Sequence, residues 1–150
     1  HLSENVILIL AGDGVLRESV TRATEKLGLA SRVFFIGNYD KVPSLLKSAD
    51  IVVLSSKYEG MSLSSIEGMA SGKPFVASDV PGLTEIVKDA GLLFEVGNHK
   101  ELATTINLLL TDTDYGASVA NRCQARAAQY DISTMIVKHI KLYQEVYAEK

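Results

Sequence analysis

The sequence predicts a doubly wound α/β fold with a parallel sheet of about five or six strands flanked by helices. Two observations predict it. Short apolar runs rich in β-branched residues, each the length of a buried strand, recur at residues 6–11, 32–36, 51–54, 74–78 and 92–94. Longer segments in which apolar residues recur at helical spacing separate these runs. Because such alternation gives parallel strands joined by right-handed crossovers, we expect a Rossmann-like domain.

The composition indicates one globular domain with no footprint for nucleic acid. The chain has 150 residues, 47% of them hydrophobic, and a formal net charge of −3 without a basic patch, so we expect no nucleic-acid partner. Its single cysteine, Cys123, cannot form an internal disulfide and favours a reducing, cytoplasmic location. No segment has the length of a membrane span or the pattern of a signal peptide. The chain begins at His1 without a methionine, which we interpret as a piece of a longer protein.

The first strand, 6–11, is apolar on both faces and is predicted to be buried. Gly12, Asp13 and Gly14 turn it into a helix that ends near residue 28. A lone Gly-x-Gly is a weak phosphate signal, because it also serves any tight strand-to-helix turn. Arg17 stands where the dinucleotide fingerprint needs a third glycine. We therefore reject a nicotinamide site and expect a simple turn near the ligand crevice.

The remaining elements follow from their capping residues. Pro43 is tolerated in the first turn of a helix, Asn98 and Asp131 are N-caps, and the turn 79–82 follows the fourth strand. The apolar stripe of the last helix is interpreted as packing rather than as a site. We expect these helices at residues 42–48, 83–88, 99–110, 115–129 and 132–148.

The stretch 55–74 is the centre of the chain. It follows the strand 51–54 and becomes helical after a loop. The helix ends where Gly72 suits a left-handed cap and Pro74 cannot continue it. The loop therefore lies at the carboxyl end of a strand, which is where open α/β sheets bind ligands.

Glu67 stands out on the predicted helix of this stretch. Leu63, Ile66, Glu67 and Ala70 have the i, i+3, i+4, i+7 spacing of a core-facing stripe. An unpaired carboxylate is costly to bury, so we predict that Glu67 is mostly buried, faces the crevice and meets a hydroxyl-rich ligand there. The alternative is that Glu67 tilts toward solvent or forms a capping box with Ser64, and spacing alone does not separate the two.

Glu59 lies eight positions earlier, on the loop, and is followed by Gly60. A glycine lets a ligand approach the backbone closely. The amides of Gly60, Met61, Ser62 and Leu63 would point out of a helix start, which favours phosphate. The alternative is an ordinary loop glutamate. Two glutamates with a glycine and a helix start between them are more specific than either glutamate alone.

Residues 59–74 resemble the E-x7-E signature of retaining glycosyltransferases of the large GT-B family, which includes sucrose synthases, bacterial glycogen synthases and mannosyltransferases. The resemblance covers nearly the whole chain. Further family-like segments occur in the same order at residues 12–14, 33–37, 49–51, 80–87 and 91–94.

The resemblance implies that residues 1–150 are one half of a GT-B fold, the C-terminal nucleotide-sugar-binding domain, truncated on its N-terminal side and without its acceptor domain. It implies a retaining hexosyltransferase that transfers a sugar from a UDP-sugar or GDP-sugar, in glycan or polysaccharide biosynthesis. Glu59 would be the catalytic contact to the donor sugar, and Glu67 would bind the ribose. The other implied nucleotide-sugar ligands are Gly12, Gly14, Phe35, Gly37, Gly60, Met61, Ser62 and Leu63.

Some family features are missing or ambiguous. The family places an arginine and a lysine on the diphosphate from a segment upstream of Val6, and neither Lys57 nor Lys73 matches them. We therefore expect this piece alone to be inactive. Gly82 and Glu85 match a glycine-rich turn and its glutamate, although Glu85 equally suits an ordinary helix start.

No cofactor is expected, and no metal either, since neither Asp-x-Asp nor a His/Cys cluster with ligand spacing occurs. The expected partners are the nucleotide sugar and the missing acceptor domain, through which peripheral membrane association is a further expectation. Two other readings stay open. One is a nucleotide-sugar epimerase or phosphorylase of the same architecture. The other is a non-catalytic flavodoxin-like module.

Overall fold

A computed structural model describes residues 2–148 of the chain. Strands and helices alternate through the first two thirds, and helices alone follow. The elements are β1 (Leu8–Ala11), α1 (Arg17–Lys26), β2 (Val33–Gly37), α2 (Val42–Ser48), β3 (Val52–Leu54), α3 (Leu63–Ala70), β4 (Phe75–Ser78), α4 (Thr84–Val87), β5 (Leu92–Phe94), α5 (His99–Thr111), α6 (Thr113–Ala127), a 3-10 turn (Ala128–Tyr130) and α7 (Ile132–Ala148).

Every strand pair is parallel, as the alternation predicts, and the doubly wound α/β class is confirmed. Within residues 2–148, however, the five strands form two sheets instead of one, β1-β2 and β3-β4-β5. Val52 pairs with Phe75 across β3 and β4, and Leu8 pairs with Val33 across β1 and β2. The single sheet of five or six strands is corrected accordingly, because β1 and β3 share no backbone hydrogen bonds.

The hydrophobic core surrounds β4. All four β4 residues are buried, and Met69, Leu83, Val119 and Cys123 pack around them from helices and turns. Burial raises the pKa of the Cys123 thiol, against weaker opposing effects of a backbone hydrogen bond and a nearby arginine. β4, the central strand of the β3-β4-β5 sheet, is thus the most buried of the five strands.

The first strand is less buried than its sequence indicates. Ile7 is 61% exposed and Ile9 is 48% exposed, so the predicted burial of residues 6–11 on both faces is wrong. An apolar run of this length is typical of a strand covered on both faces. Here one edge of β1 has no partner strand within residues 2–148, and its apolar side chains remain accessible.

The predicted helix ends are largely confirmed. Gly72 has φ of +78° after α3, and Asn98 accepts a hydrogen bond from the amide of Glu101 at the start of α5. Asp131 accepts from the amides of Ser133 and Thr134 before α7. Each capping side chain satisfies amides that have no partner inside the helix, so the elements begin and end close to where the sequence places them.

Candidate functional site

The loop that carries Glu59 connects β3 to α3 and lies at the carboxyl end of β3. Ser78, the last residue of β4, donates a hydrogen bond from its Oγ to the backbone carbonyl of Ser56. Ser56 Oγ donates to Glu59 Oε1 at 2.7 Å. The carboxylate is half-buried. The end of a buried strand thus fixes the loop, and the loop fixes its own glutamate.

A glycine turn supports the loop from the neighbouring strand. Gly82, in the turn after β4, has φ of +87°, a conformation that favours glycine. A Cβ built on Gly82 would lie 2.6 Å from the carbonyl oxygen of Glu59 and would also overlap the carbonyl oxygen of Gly60. The turn and the loop therefore pack backbone against backbone, which only glycine permits at this position.

Loop and turn enclose a cavity of about 330 Å³ at the carboxyl ends of β3 and β4. Glu59 and Glu85 both line it, so the structure places in one cavity two carboxylates that lie 26 positions apart in the sequence. Its remaining lining residues are Tyr58, Gly60, Met61, Pro81, Gly82, Ile86 and Tyr130. A larger, shallower depression of about 760 Å³ between α3 and α6 contains none of the predicted site residues.

The start of α3 presents unpaired backbone donors beside this cavity. Ser62 is the N-cap, and its side chain accepts a hydrogen bond from the amide of Ser65. Within residues 2–148 the four predicted amides, 60–63, donate to no protein acceptor. Met61 and Leu63 are exposed. Ser62 between them is buried. A helix start with free amides attracts anions, phosphate among them.

Glu67 lies on α3, but its predicted burial is wrong, because the side chain is exposed. The buried face of α3 consists of Ser65, Gly68 and Met69. A Cβ on Gly68 would lie 2.5 Å from Phe75 Cε2, so the helix approaches the sheet at a distance that only small residues allow. Of the predicted stripe, Leu63, Glu67 and Ala70 are exposed, and only Ile66 packs partly against the core.

The capping box of Ser64 with Glu67 does not form either, since Ser62 caps α3 and its Oγ accepts from the amide of Ser65. Glu67 follows Leu63, the first residue of α3, by four positions and therefore lies about one turn from the helix start. Its exposed carboxylate is accessible to a ligand, and the role implied for it in ribose binding stays a prediction.

Four other predicted ligands cluster at the carboxyl ends of β1 and β2. The amide of Gly12 donates to the carbonyl of Gly37 at 2.7 Å, and both glycines have positive φ. Phe35 lies under the guanidinium of Arg17, 6.0 Å from ring centroid to Cζ. Gly14 follows directly in the same turn. These residues lie together, but none of them lines the cavity of Glu59.

Several residues of the site escaped the sequence analysis. Ser56 and Ser78 act through the hydrogen bonds described above. Neither serine belongs to a motif that would predict such a contact from the sequence. Tyr130 reaches the cavity from the 3-10 turn after α6, far away in sequence. Arg17, which the sequence analysis uses only to exclude the dinucleotide fingerprint, forms an ion pair with Asp13, with 3.2 Å between a guanidinium nitrogen and Oδ2. Its guanidinium also lies over the ring of Phe35. Strand register, with Leu54 opposite Ala77, was the one signal that could have joined Ser56 to Ser78.

Among residues 2–148 no three His, Cys, Asp or Glu side chains lie close enough together to hold a metal ion. No helix in the same range has both the length and the apolar character needed to cross a bilayer.

The architecture matches solved glycosyltransferase-fold structures. HepE of Anabaena in complex with UDP superposes on 96% of this chain with a TM-score of 0.91 and 30% sequence identity. The same protein in complex with UDP-glucose gives a TM-score of 0.89. The chain covers 42% of HepE. Its fold class is thus one Rossmann-like half of a GT-B fold.

Sequence comparison gives the family. Residues 1–130 match the model of the glycosyl transferases group 1 family, and the chain belongs to that family. It is 34% identical over 124 residues to an uncharacterised glycosyltransferase of Methanocaldococcus jannaschii, covering 80% of this chain and 32% of the relative. It is 35% identical over 116 residues to a Campylobacter jejuni N,N'-diacetylbacillosaminyl-diphospho-undecaprenol α-1,3-N-acetylgalactosaminyltransferase, covering 76% and 31%. The chain thus spans about a third of the length of these curated relatives.

Proposed function

We propose that this chain is the donor-binding part of a retaining glycosyltransferase that transfers a hexosyl group from a nucleoside diphosphate sugar to an acceptor. The observation that carries the proposal is the cavity at the end of β3, where the Glu59 carboxylate lies beside the free amides of the α3 start. HepE, which superposes on 96% of this chain, was solved with UDP and with UDP-glucose.

The free amides would stabilise the leaving diphosphate. As the bond between the anomeric carbon and the phosphate oxygen breaks, negative charge builds up on the nucleoside diphosphate. In this proposal amides 60–63 and the partial positive charge of the α3 start would face such an anion before it forms. Donors that need no rearrangement lower the barrier more than mobile ones do.

Glu59 would hold the donor sugar. Its Oε1 accepts from Ser56, and it can accept further hydrogen bonds from sugar hydroxyls that enter the cavity. As the sugar becomes oxocarbenium-like, a fixed carboxylate nearby stabilises the developing positive charge. The eight-residue spacing of Glu59 and Glu67, as in the E-x7-E signature, supports the retaining assignment.

The nucleoside would lie beside the turns that follow β1 and β2. Gly12, Gly14, Phe35 and Gly37 lie together at the carboxyl ends of β1 and β2. The exposed Glu67 carboxylate is available to the ribose hydroxyls. Uridine and guanosine diphosphates are the nucleotide classes that we propose.

The complete activity would need polypeptide outside this chain. The chain spans 31–32% of two curated relatives, which leaves room for an acceptor domain. We propose that this piece is the C-terminal domain, that it is inactive alone, and that the longer protein works in the cytoplasm in glycan biosynthesis. The Campylobacter jejuni relative, named for transfer to a diphospho-undecaprenol-linked sugar, supports peripheral membrane association of such a protein.

Nucleotide titration of the chain by NMR tests the proposal. UDP, GDP and ADP are compared, and we expect UDP or GDP to shift the amide resonances of residues 60–63 together with those of Gly12 and Gly37. The resonances of residues around the 760 Å³ depression, such as Asn121 and Ala125, serve as the internal control. Shifts confined to that depression, or none with any nucleotide, would contradict the proposal.

A further inference from the structure

A chain of hydrogen bonds ends on Glu59. Ser78 closes the buried strand β4 and is 1% exposed, and its Oγ donates to the backbone carbonyl of Ser56. Ser56 Oγ donates to Glu59 Oε1 at 2.7 Å. Two serines therefore connect the carboxylate to the most buried strand of the protein. Neither serine belongs to the proposed ligand set.

The hydrogen bond from Ser56 leaves half of the carboxylate available. Within residues 2–148 no donor reaches Glu59 Oε2, and Glu59 lines the cavity. An ionised carboxylate accepts several hydrogen bonds through its two oxygens. One oxygen is thus anchored to the protein while the other remains for a ligand hydroxyl.

Gly82, in the turn after β4, packs against the backbone of the same loop and limits its movement. Its missing side chain lets the carbonyls of Glu59 and Gly60 lie directly against the turn. The backbone of Glu59 is thus held by the turn, and its side chain by Ser56. A glutamate on a loop otherwise has much rotamer freedom to lose when it engages a ligand.

We propose that Ser56 is a positioning residue, which holds the Glu59 carboxylate in its working orientation before the donor binds. This inference rests on the proposed function, in which Glu59 contacts the donor sugar. A reactive group that is already oriented loses less entropy in the transition state. Ser56 is not among the residues that line the cavity, so we expect its effect in the chemical step and not in nucleotide affinity.

The first test needs no substrate. The Glu59 carboxyl carbon and the amides of residues 57–61 are observed by NMR in this chain and in its Ser56→Ala and Ser56→Thr variants. We expect Ser56→Ala to shift the carboxyl resonance and to lower the order parameters of the loop, and Ser56→Thr, which keeps the hydroxyl, to restore both. Ser71→Ala is the matched control, because it removes a similar local hydrogen bond, Ser71 Oγ to the carbonyl of Gly68, at the other end of α3.

The second test measures donor turnover by the complete protein that carries this chain. We expect Ser56→Ala to lower kcat about ten- to a hundredfold, the range that corresponds to one hydrogen bond to a charged group, with the donor KM and the UDP affinity within about twofold. Ser56→Thr should recover most of the rate. In a Glu59→Ala background, Ser56→Ala should cost less than about twofold, because its partner is gone.

The two tests distinguish failure of the positioning role of Ser56 from failure of the proposed glycosyltransferase function. An unchanged Glu59 resonance in Ser56→Ala overturns the positioning role even if the enzyme is a glycosyltransferase. The positioning role is also overturned if Ser56→Ala lowers the UDP affinity as much as it lowers kcat. The same holds if Ser56→Ala costs the same rate with Glu59 present and in the Glu59→Ala background. Either result would mean that Ser56 only supports the loop in general. A wild-type protein that neither binds UDP or GDP nor transfers sugar overturns the proposed function, whereas the NMR comparison still decides whether Ser56 orients Glu59.

Discussion

Two glutamates eight positions apart lie in different surroundings. Glu59 is half-buried, bonded to Ser56 and part of a cavity wall, whereas Glu67 is exposed on the outer face of α3. Charge that is fixed in a partly enclosed site acts more strongly on a reacting group than charge in water does. The surroundings therefore support a chemical role for Glu59 and a ground-state binding role for Glu67.

Glu59→Gln should lower turnover in the complete enzyme more than it changes nucleotide affinity. The amide keeps the shape of the side chain and removes the charge that would stabilise the developing sugar cation. The measurement is steady-state kinetics with the donor varied, beside a direct affinity for the free nucleoside diphosphate. If that affinity fell by the full kinetic loss, Glu59 would be a nucleotide ligand and the proposed assignment of the two glutamates would be wrong.

Glu67→Ala should weaken nucleotide binding by about 1.5–3 kcal/mol, the value of a hydrogen bond to a charged group. It should leave the free energy of unfolding nearly unchanged, because the side chain is exposed and buries no apolar surface. Calorimetric titration and urea unfolding measure the two quantities. Glu25→Ala, an exposed glutamate on α1, is the matched control. Equal affinity for wild type and Glu67→Ala would remove the ribose role.

At the scale of elements, α3 shows what the sequence could and could not predict. Its C-terminal end was predictable, because Gly72 and Pro74 mark it by local chemistry, whereas its N-cap is Ser62 and not the Ser64 of the predicted capping box. Its buried face was not predictable, because the predicted stripe consists of apolar residues, whereas the observed contact face places two small residues, Ser65 and Gly68, beside Met69. Ser65 and Gly68 allow the helix to lie close to Phe75. Spacing shows which residues share a face, but the distance to the sheet depends on tertiary packing.

Gly68→Ala should destabilise the protein by about 1–3 kcal/mol, the range for an overpacked core, even though alanine favours helices more than glycine does. The added methyl group would meet Phe75 Cε2 at 2.5 Å and Val52 Cγ1 at 3.2 Å. Urea denaturation measures the change. Ser64→Ala, on the exposed side of the same helix, should be close to neutral. A Gly68→Ala variant as stable as wild type would mean that α3 can move away from the sheet at little cost.

For the whole molecule, parallel pairing and the alternation of elements were predictable, whereas the division into two sheets was not. Local patterns identify strands, but they do not state which strands are neighbours. Glu59 and Glu85 line the same cavity because β3 and β4 pair in register and end at the same edge. That pairing is a long-range contact, which local patterns do not reveal. The serine contacts to Glu59 have the same origin. The candidate site was predictable where it lies within one loop and unpredictable where it joins two.

Hydrogen exchange should divide the molecule along the same boundary. We expect the slowest amides in β4 and α6, which surround the core, and faster exchange in β1 and β2, whose apolar side chains are partly exposed. Exchange followed by mass spectrometry on the isolated chain makes the comparison. Equal protection of β1 and β4 would indicate that the two sheets unfold as one unit.

One edge of β1 has no partner strand within residues 2–148, and this has a practical consequence for handling the protein. A strand with unpaired N–H and C=O groups beside accessible Ile7, Leu8 and Ile9 is a template onto which another copy can add its own strand. Concentrated solutions of the isolated chain should therefore aggregate through this edge. A lysine in place of Ile7 or Ile9 would put a charge on the edge and keep the chain dispersed for the titrations proposed above.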